Sequence, residues 1–533
     1  MHPSLTLRSA PAKILAMIPP PVLDEAEPAT APSLARRAAI ALVLMIGFYG
    51  LAAAMAFGLA WIPYAAWAYG HRFNLRLAIF CLGGAYLIVK AIVPRRDRFE
   101  APGPALRPAS QPRLFQELRG IADAAGQEMP AEVYLVPDVN AWVAQRGGVM
   151  GIGGRRIMGL GLPLLQAVTI PEMRAVLAHE FGHYFGGDVK LGPLIYRTRE
   201  ALVRTVVALH QHSGVLHKPF EWYALLFFRV THAVSRHQEL QADALAARIA
   251  GADALARGLR TVHGAALAFG AYWAQEVAPV LGAGYLPPLA VGFSRFLEQP
   301  KVNDALREAV ATEERDGKAD PYDTHPSLRE RLAALARWPG PATAAPRDDD
   351  ARAITLLDAV PEVEKELVTL RAAEGSAGSG LKPLDWEEVG GAVHVPHWEQ
   401  FLRDNGRALA GVTPGTLPAL DWEGVGRAMI ARLRLGHGEV EAPPPAAVAE
   451  YAVGAAIALA LSRRGFAIEA PPGAPVTMVR GPRRVEPFAV RELVDKDGEG
   501  WRALCAEVGF GDLDLAAPVA ARTAGKPSGA PSA

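Results

Sequence analysis

Thirty-three consecutive residues, Ala38 to Gly70, contain no Asp, Glu, Lys, Arg or His, and the first two dozen (AAIALVLMIGFYGLAAAMAFGLAW) are almost wholly apolar. A helix of that length crosses the roughly 30 Å hydrocarbon core of a bilayer. A second run, Leu77 to Val93, is at the short limit for a span and holds Lys90 near its end, where the ammonium can reach the interface. Trp61, Tyr64, Trp67 and Tyr69 cluster where the first span should leave the bilayer, as interfacial aromatic belts do. A cleaved signal peptide fits poorly, because the apolar stretch follows an acidic patch (Asp24, Glu25, Glu27) and is too long for such a leader. Arg36 and Arg37 precede the first span and Arg95, Arg96 and Arg98 follow the second, against Arg72 and Arg76 between them. That bias predicts a cytoplasmic tail over 1–37, a transmembrane hairpin over 38–94 (spans at about 38–63 and 75–94), and a body on the cytoplasmic side.

The 55 basic and 55 acidic side chains cancel, which argues against a nucleic-acid partner. Two cysteines in 533 residues exclude a disulfide framework and a four-cysteine zinc module, so any metal must rest on His and carboxylates. After a Pro-rich linker, Glu100 to Pro112, the pattern predicts a helix over Leu114–Ala125 and strands over Glu132–Val136, Ala141–Gln145 and Arg156–Leu160. From about Pro171 to Arg337 the periodicity is mainly helical, so the expected class is α+β: mainly α with a small β-sheet. A first soluble domain is expected over 100–338 and a linker containing a helix (Ala351–Glu374) over 339–380. A C-terminal α+β extension without a recognisable chemical motif should follow over 381–521, then a disordered tail over 522–533. Within the extension, Leu384-Asp385-Trp386-Glu387 is echoed by Leu420-Asp421-Trp422-Glu423, and Tyr451–Leu461 reads as a buried helix rather than a span.

The chemistry is concentrated at His179-Glu180-Phe181-Gly182-His183. Thr169 and Glu172 form a capping-box pattern and Pro171 suits a first turn, which makes the pentad helical. His179 and His183 then share one face and converge on a single ion, with Glu180 beside them as a general base. Zinc accepts imidazole nitrogens, and a catalytic site takes three protein ligands and a water. The plain alternative is an amphipathic helix with two surface histidines. A third ligand is available in Ser235-Arg236-His237-Gln238-Glu239-Leu240-Gln241-Ala242-Asp243, on a helix expected over Tyr223–Ala250 and ended by Gly251. Glu239 completes the set, and Asp243, one turn on, can accept the spare ring N–H of a liganding His. Taken alone, both carboxylates read equally as solvated helix charges pairing with Arg236 and Arg248.

His-Glu-Phe-Gly-His followed by Ser-Arg-x-x-Glu-x-x-Ala-Asp resembles the membrane zinc metallopeptidases of the HtpX and type I CAAX prenyl protease family. Asn140-Ala141, Gly161-Leu162, Gly187-Asp188 and Thr324-His325-Pro326 with Arg331 extend the resemblance, which covers about Leu114 to Arg337. It implies a gluzincin-type domain with one Zn2+ per chain, held by His179, His183 and Glu239, with Glu180 as general base and Asp243 as the partner of a ligand. It also implies an edge strand to which substrate adds, expected here at Arg156, Ile157, Met158, Gly159 and Leu160. His325 is either an ordinary helix-entry residue, a transition-state contact, or a displaceable fourth ligand. Arg331 is expected to pair with Asp243 or Asp188, or to face water.

The family carries further spans between the zinc helix and the third ligand. Here Leu191–Val234 is interrupted by charged or imidazole side chains (among them Arg197, Arg199, Glu200, Arg204, His210, His212, His217, Lys218, Glu221 and Arg229) and reads as a buried helix hairpin, with Phe220–Phe228 the part nearest an interface.

The expected function is that of a multi-pass zinc endopeptidase, in a bacterial inner membrane with its site facing the cytoplasm, acting on unfolded or membrane polypeptides. The alternatives are a proteolytically inactive membrane scaffold with a structural zinc, its C-terminal region binding an unknown partner, and a prenyl-protein processing protease.

Overall fold

The uncharged stretch lies in one helix, α1 (Ala31–Ala68), and the second apolar run in α2 (Leu75–Ile92), whose first turn is capped by the Asn74 side chain accepting from the Leu77 amide. Both are long and apolar enough to cross a membrane. The computed structural model describes residues 31–70, 74–93, 99–146, 154–183, 192–212, 215–317, 326–338, 351–374, 380–431 and 443–516. Among these the chain is mainly helical with small sheets, the class expected from its sequence.

Close contacts divide the chain into two units, one of residues 1–267 with 305–376 and the other of 268–304 with 377–533. The first unit contains a four-stranded sheet of β1 (Ala105–Leu106), β2 (Glu132–Val136), β3 (Ala141–Arg146) and β4 (Arg155–Gly161), in the order β1-β2-β4-β3. In this sheet β4 runs parallel to β2 (Met158 opposite Val133) and antiparallel to β3 (Met158 opposite Val143). The expectation of an edge strand at Arg156–Leu160 is therefore corrected: the segment is paired on both sides. Its Ile157, Met158 and Leu160 are buried, as a run enclosed on both edges requires. Among the described residues the open edge beside it belongs to β3.

Helix α3 (Pro112–Ala124) precedes the sheet, and α4 (Leu162–Ala167) leads into α5 (Ile170–Gly182). The Thr169–Glu172 capping box forms, with the Thr169 hydroxyl accepting from the Glu172 amide and the Glu172 carboxylate accepting from the Thr169 amide. Then follow α6 (Gly192–His212), the long α7 (Lys218–Ala250), stopped at Gly251 with φ of 95°, and α8 (Leu328–Ala336), which opens with a Ser327–Glu330 capping box.

Residues 351–374, expected as part of a linker, are grouped with the first unit. The Ala353 amide donates to the Val168 carbonyl and the Ile170 amide to the Ala351 carbonyl, while Gln111 exchanges two hydrogen bonds with the backbone of Asp358. Helix α9 (Val360–Glu374) closes this return. The physical reason is that the start of α5 leaves backbone groups that a passing strand satisfies.

In the second unit, α10 (Pro445–Ser462) has the length and composition of a span but is buried along most of its residues, in a core with Trp398, Trp422, Met478 and Trp501. A three-stranded antiparallel sheet (Ala467–Glu469, Thr477–Arg480, Arg483–Val485) belongs to the same unit. The repeated Leu-Asp-Trp-Glu starts a helix both times. Asp385 precedes a short helix whose Glu388 returns to its amide, Asp421 accepts from the Gly424 amide, and each Trp is buried.

α5 and α7 approach most closely at Gly182, where a Cβ would lie 2.8 Å from the Ala242 Cα. Gly182→Ala should therefore cost about 1–3 kcal/mol by overpacking. Gly120→Ala, in the exposed middle of α3 with open space at its Cβ, should gain roughly 0.5–1 kcal/mol. Thermal melting of the two variants in detergent checks the contrast; equal melting temperatures would contradict it.

Candidate active site

Helix α5 presents His179 and Glu180, and His183 follows its last turn with dihedrals still helical (φ −61°, ψ −15°). The four-residue spacing thus survives the end of the helix, and the two rings meet edge to face with centroids 4.7 Å apart. Helix α7 brings Glu239 to both. Its Oε2 lies 3.4 Å from His179 Nε2 and its Oε1 3.6 Å from His183 Nε2.

One ligand atom from each of His179, His183 and Glu239 lies within 4.8 Å of the others, the single such group among the described residues. Bonds of about 2.0–2.1 Å in a tetrahedral zinc site place neighbouring ligand atoms roughly 3.3–3.4 Å apart, near the separations of Glu239 from the two imidazoles. Two imidazoles and one carboxylate are also the donors that zinc accepts when a coordination position is left for solvent. The residues present fit the ion. His179 and Glu239 are buried while His183 is half-buried, so the cradle has one wetter side.

The opposite nitrogen of His179 is fixed by Asp243, whose Oδ1 lies 2.9 Å from Nδ1. Asp243 is only 1% exposed and is gripped in turn by Arg331, which donates from Nη2 to Oδ1 (2.6 Å) and from Nε to Oδ2 (3.0 Å). Arg331 stands on the first turn of α8, and Arg236 of α7 donates to the neighbouring Glu330 at 2.8 Å, so the two helices are tied at adjacent positions.

Burial alone would raise the Asp243 pKa, but its bonds to His179 and Arg331 lower it below the usual carboxylate range. Burial would likewise lower that of His179, yet bonding to Asp243 and Glu239 outweighs this and pushes it up to about 9. In the metal-free protein His179 therefore holds a proton at neutral pH. An incoming cation must displace it. Glu180 is half-buried beside this network and adds to the negative field around Arg331.

The structure thus brings together His179, His183, Glu239 and Asp243. His325, Thr324, Gly187 and Asp188 lie outside the described residues. Arg331 is the participant that sequence reasoning left among open pairings. Its place after the His325-Pro326 helix entry gave a helical position but no partner across the fold.

Residues 108–339 match the model of peptidase family M48. The chain carries an M48 peptidase domain. All the residues of the cradle fall inside it, whereas the returning segment at 351–358 lies beyond the matched range. The chain is similar to the Protease HtpX of Acinetobacter baylyi, 22% identical over 290 residues that cover 49% of this chain and 85% of the relative. It is also similar to the Protease HtpX of Xanthomonas oryzae pv. oryzae (strain PXO99A), 26% identical over 291 residues, 50% of this chain and 86% of the relative. That of Cellvibrio japonicus is 29% identical over 223 residues, 37% of this chain and 64% of the relative. No solved structure matches the chain. Residues 381–533 lie outside the M48 domain.

Because Arg331 compensates the buried charge that orients His179, Arg331→Met should weaken zinc affinity of the M48 domain by about 10–100-fold, as loss of a partner behind a ligand does. Arg331→Lys, with one point charge in place of a fork, should fall between. Competition with a fluorescent chelator measures both, and an unchanged affinity for Arg331→Met would remove Arg331 from the site.

Proposed function

We propose that this chain is a membrane-anchored zinc endopeptidase, in which His179, His183 and Glu239 hold one Zn2+ and Glu180 is the general base. The observation that carries the reading is the convergence of two imidazoles and a distant carboxylate at tetrahedral spacing, with a half-buried Glu next to the first imidazole. Zinc, when bound there, polarises a scissile carbonyl and brings the pKa of water down to about 7. Glu180 accepts the proton of the attacking water on its carboxylate and passes it to the leaving amine. Asp243 accepts the hydrogen bond of His179 Nδ1–H, which fixes the tautomer whose Nε2 lone pair is left for the cation. His325 is assigned by resemblance to contact the transition state or to fill the fourth position reversibly.

α1 and α2 serve as the anchor, and the excess of arginines at its two ends over its loop sets the M48 domain on the cytoplasmic side of a bacterial inner membrane. Unfolded and membrane polypeptides are then the substrate class.

Glu180→Gln is the test. Cleavage of a casein-type substrate in detergent should fall by about 10²–10⁴-fold while bound zinc and melting temperature stay at wild-type values. Undiminished cleavage would leave a structural zinc site in a membrane scaffold as the better account.

A further inference from the structure

Helix α5 starts where three parts of the first unit meet, and one of them comes from beyond the matched range. The first tie joins α5 to residues 351–353. Thr169 and Arg352 form an antiparallel bridge, flanked by the Ile170 amide donating to Ala351 (3.0 Å) and the Ala353 amide donating to Val168 (2.9 Å), while Arg352 Nη1 donates to the Ala167 carbonyl. The second tie joins α5 to α3: Arg174 donates from Nε and Nη2 to the two carboxylate oxygens of Glu117, at 2.7 and 2.9 Å. The third joins α3 to Asp358 and closes a triangle. Gln111, only 2% exposed, donates to the Asp358 carbonyl (2.9 Å) and accepts from its amide (2.7 Å), and Arg113 pairs with the Asp358 carboxylate at 2.7 Å.

A helix held along one line can still turn about its own axis, whereas support at three corners prevents that. The turn matters for a metal ligand. A side chain reaching about 5–6 Å from the axis moves roughly 1 Å when the helix turns by about 10°, against a tolerance of about 0.2 Å in a metal–ligand distance. His179 stands nine residues after Ile170 and five after Arg174 on the same helix. The Arg174–Glu117 pair is a weak guide by itself, because both side chains are long and partly exposed (37% and 24%). Bonds from backbone to backbone at Val168 and Ile170 fix the first turn itself.

The returning segment is held in its turn. Ala353, Leu356 and Leu357 are buried, and Ala359 takes a left-handed φ of 52° just before α9. A residue with a side chain keeps that conformation only where its surroundings dictate it.

We infer that residues 351–358 are a positioning strap for the metal site: by fixing the rotation of α5 they aim His179 and Glu180, so that zinc affinity depends on a segment lying after the matched range. The inference rests on the zinc site proposed above and adds a contributor that touches neither ion nor substrate. α9 carries the strap on to Glu374, three residues before the second unit resumes at 377. The C-terminal region is thus joined in sequence to the support of the metal helix.

The test uses the full chain in detergent. Ala353→Pro deletes the donor to Val168 and leaves Arg352 in the extended conformation that a residue before proline requires (φ −66°, ψ 141°). Gln111→Met removes both bonds to the Asp358 backbone, on the side of the triangle that does not include α5, and serves alone if the proline variant does not fold. In the metal-free protein, hydrogen exchange of peptides covering 175–183 should quicken in both variants. Zinc affinity, measured by competition with a fluorescent chelator, should fall by about 2–30-fold, the range over which residues remote from a ligand shift its binding. Excess zinc should return cleavage of a casein-type substrate to the wild-type rate, which it would not do for a chain that had merely lost stability. Exchange that quickens only over 168–172, or zinc affinity in the variants equal to that of a zinc-binding wild type, overturns the strap and leaves the metal site standing. A wild-type chain that takes up no zinc refutes the metal site and the inference with it.

Discussion

The Asp243 carboxylate holds three helices to one geometry. It is buried, it accepts from both nitrogens of an arginine fork, and it sits against the ring nitrogen of His179 that faces away from Glu239. A buried carboxylate left with one partner fewer typically costs about 3–5 kcal/mol, so α5, α7 and α8 are coupled through it. The same bond sets which face of the His179 ring turns towards the cradle. Stability and chemistry are thus joined at a residue that touches no substrate. Gly182 supports the arrangement from the other side, since only a residue without a side chain lets α5 lie this near Ala242.

α7 carries the second role in the architecture. Its 33 residues begin among the apolar side chains of α1 and α2 and end beyond Asp243, so one continuous helix links those two helices to the metal cradle. A rigid helix transmits position without a hinge. The tie between Arg236 and Glu330 lies on the stretch of α7 just before Glu239, where it steadies the part of the helix that bears the carboxylates.

Much of this was legible in the sequence, because it depended on local rules. The capping box at Thr169 and Glu172, the strand limits at Glu132–Val136, and the stop at Gly251 all follow from neighbours within a turn. What was not legible depended on pairing across long separations. Strand order does not show in a run such as Arg156–Leu160, where continuous burial is the one hint of two neighbours. Arg331 was open in one dimension to Asp243, Asp188 or water, and in three it grips Asp243 beside the His179 ring. The helix hairpin within Leu191–Val234 was legible, but not its packing on α1 and α2, because the mutual pairing of its charged and imidazole side chains is not visible in composition. The helix expected over Ala351–Glu374 starts only at Val360, because Ala351 and Ala353 bond instead to the backbone of Ile170 and Val168, a pairing that no side-chain pattern announces.

X-ray absorption at the zinc edge of the purified protein examines the central claim most directly, because it reads the ligand atoms themselves. The account requires one zinc per chain with a first shell of two imidazole nitrogens and oxygens only, at about 2.0–2.2 Å. A sulfur shell near 2.3 Å, a shell with a single imidazole, or protein that keeps no zinc through purification would contradict it.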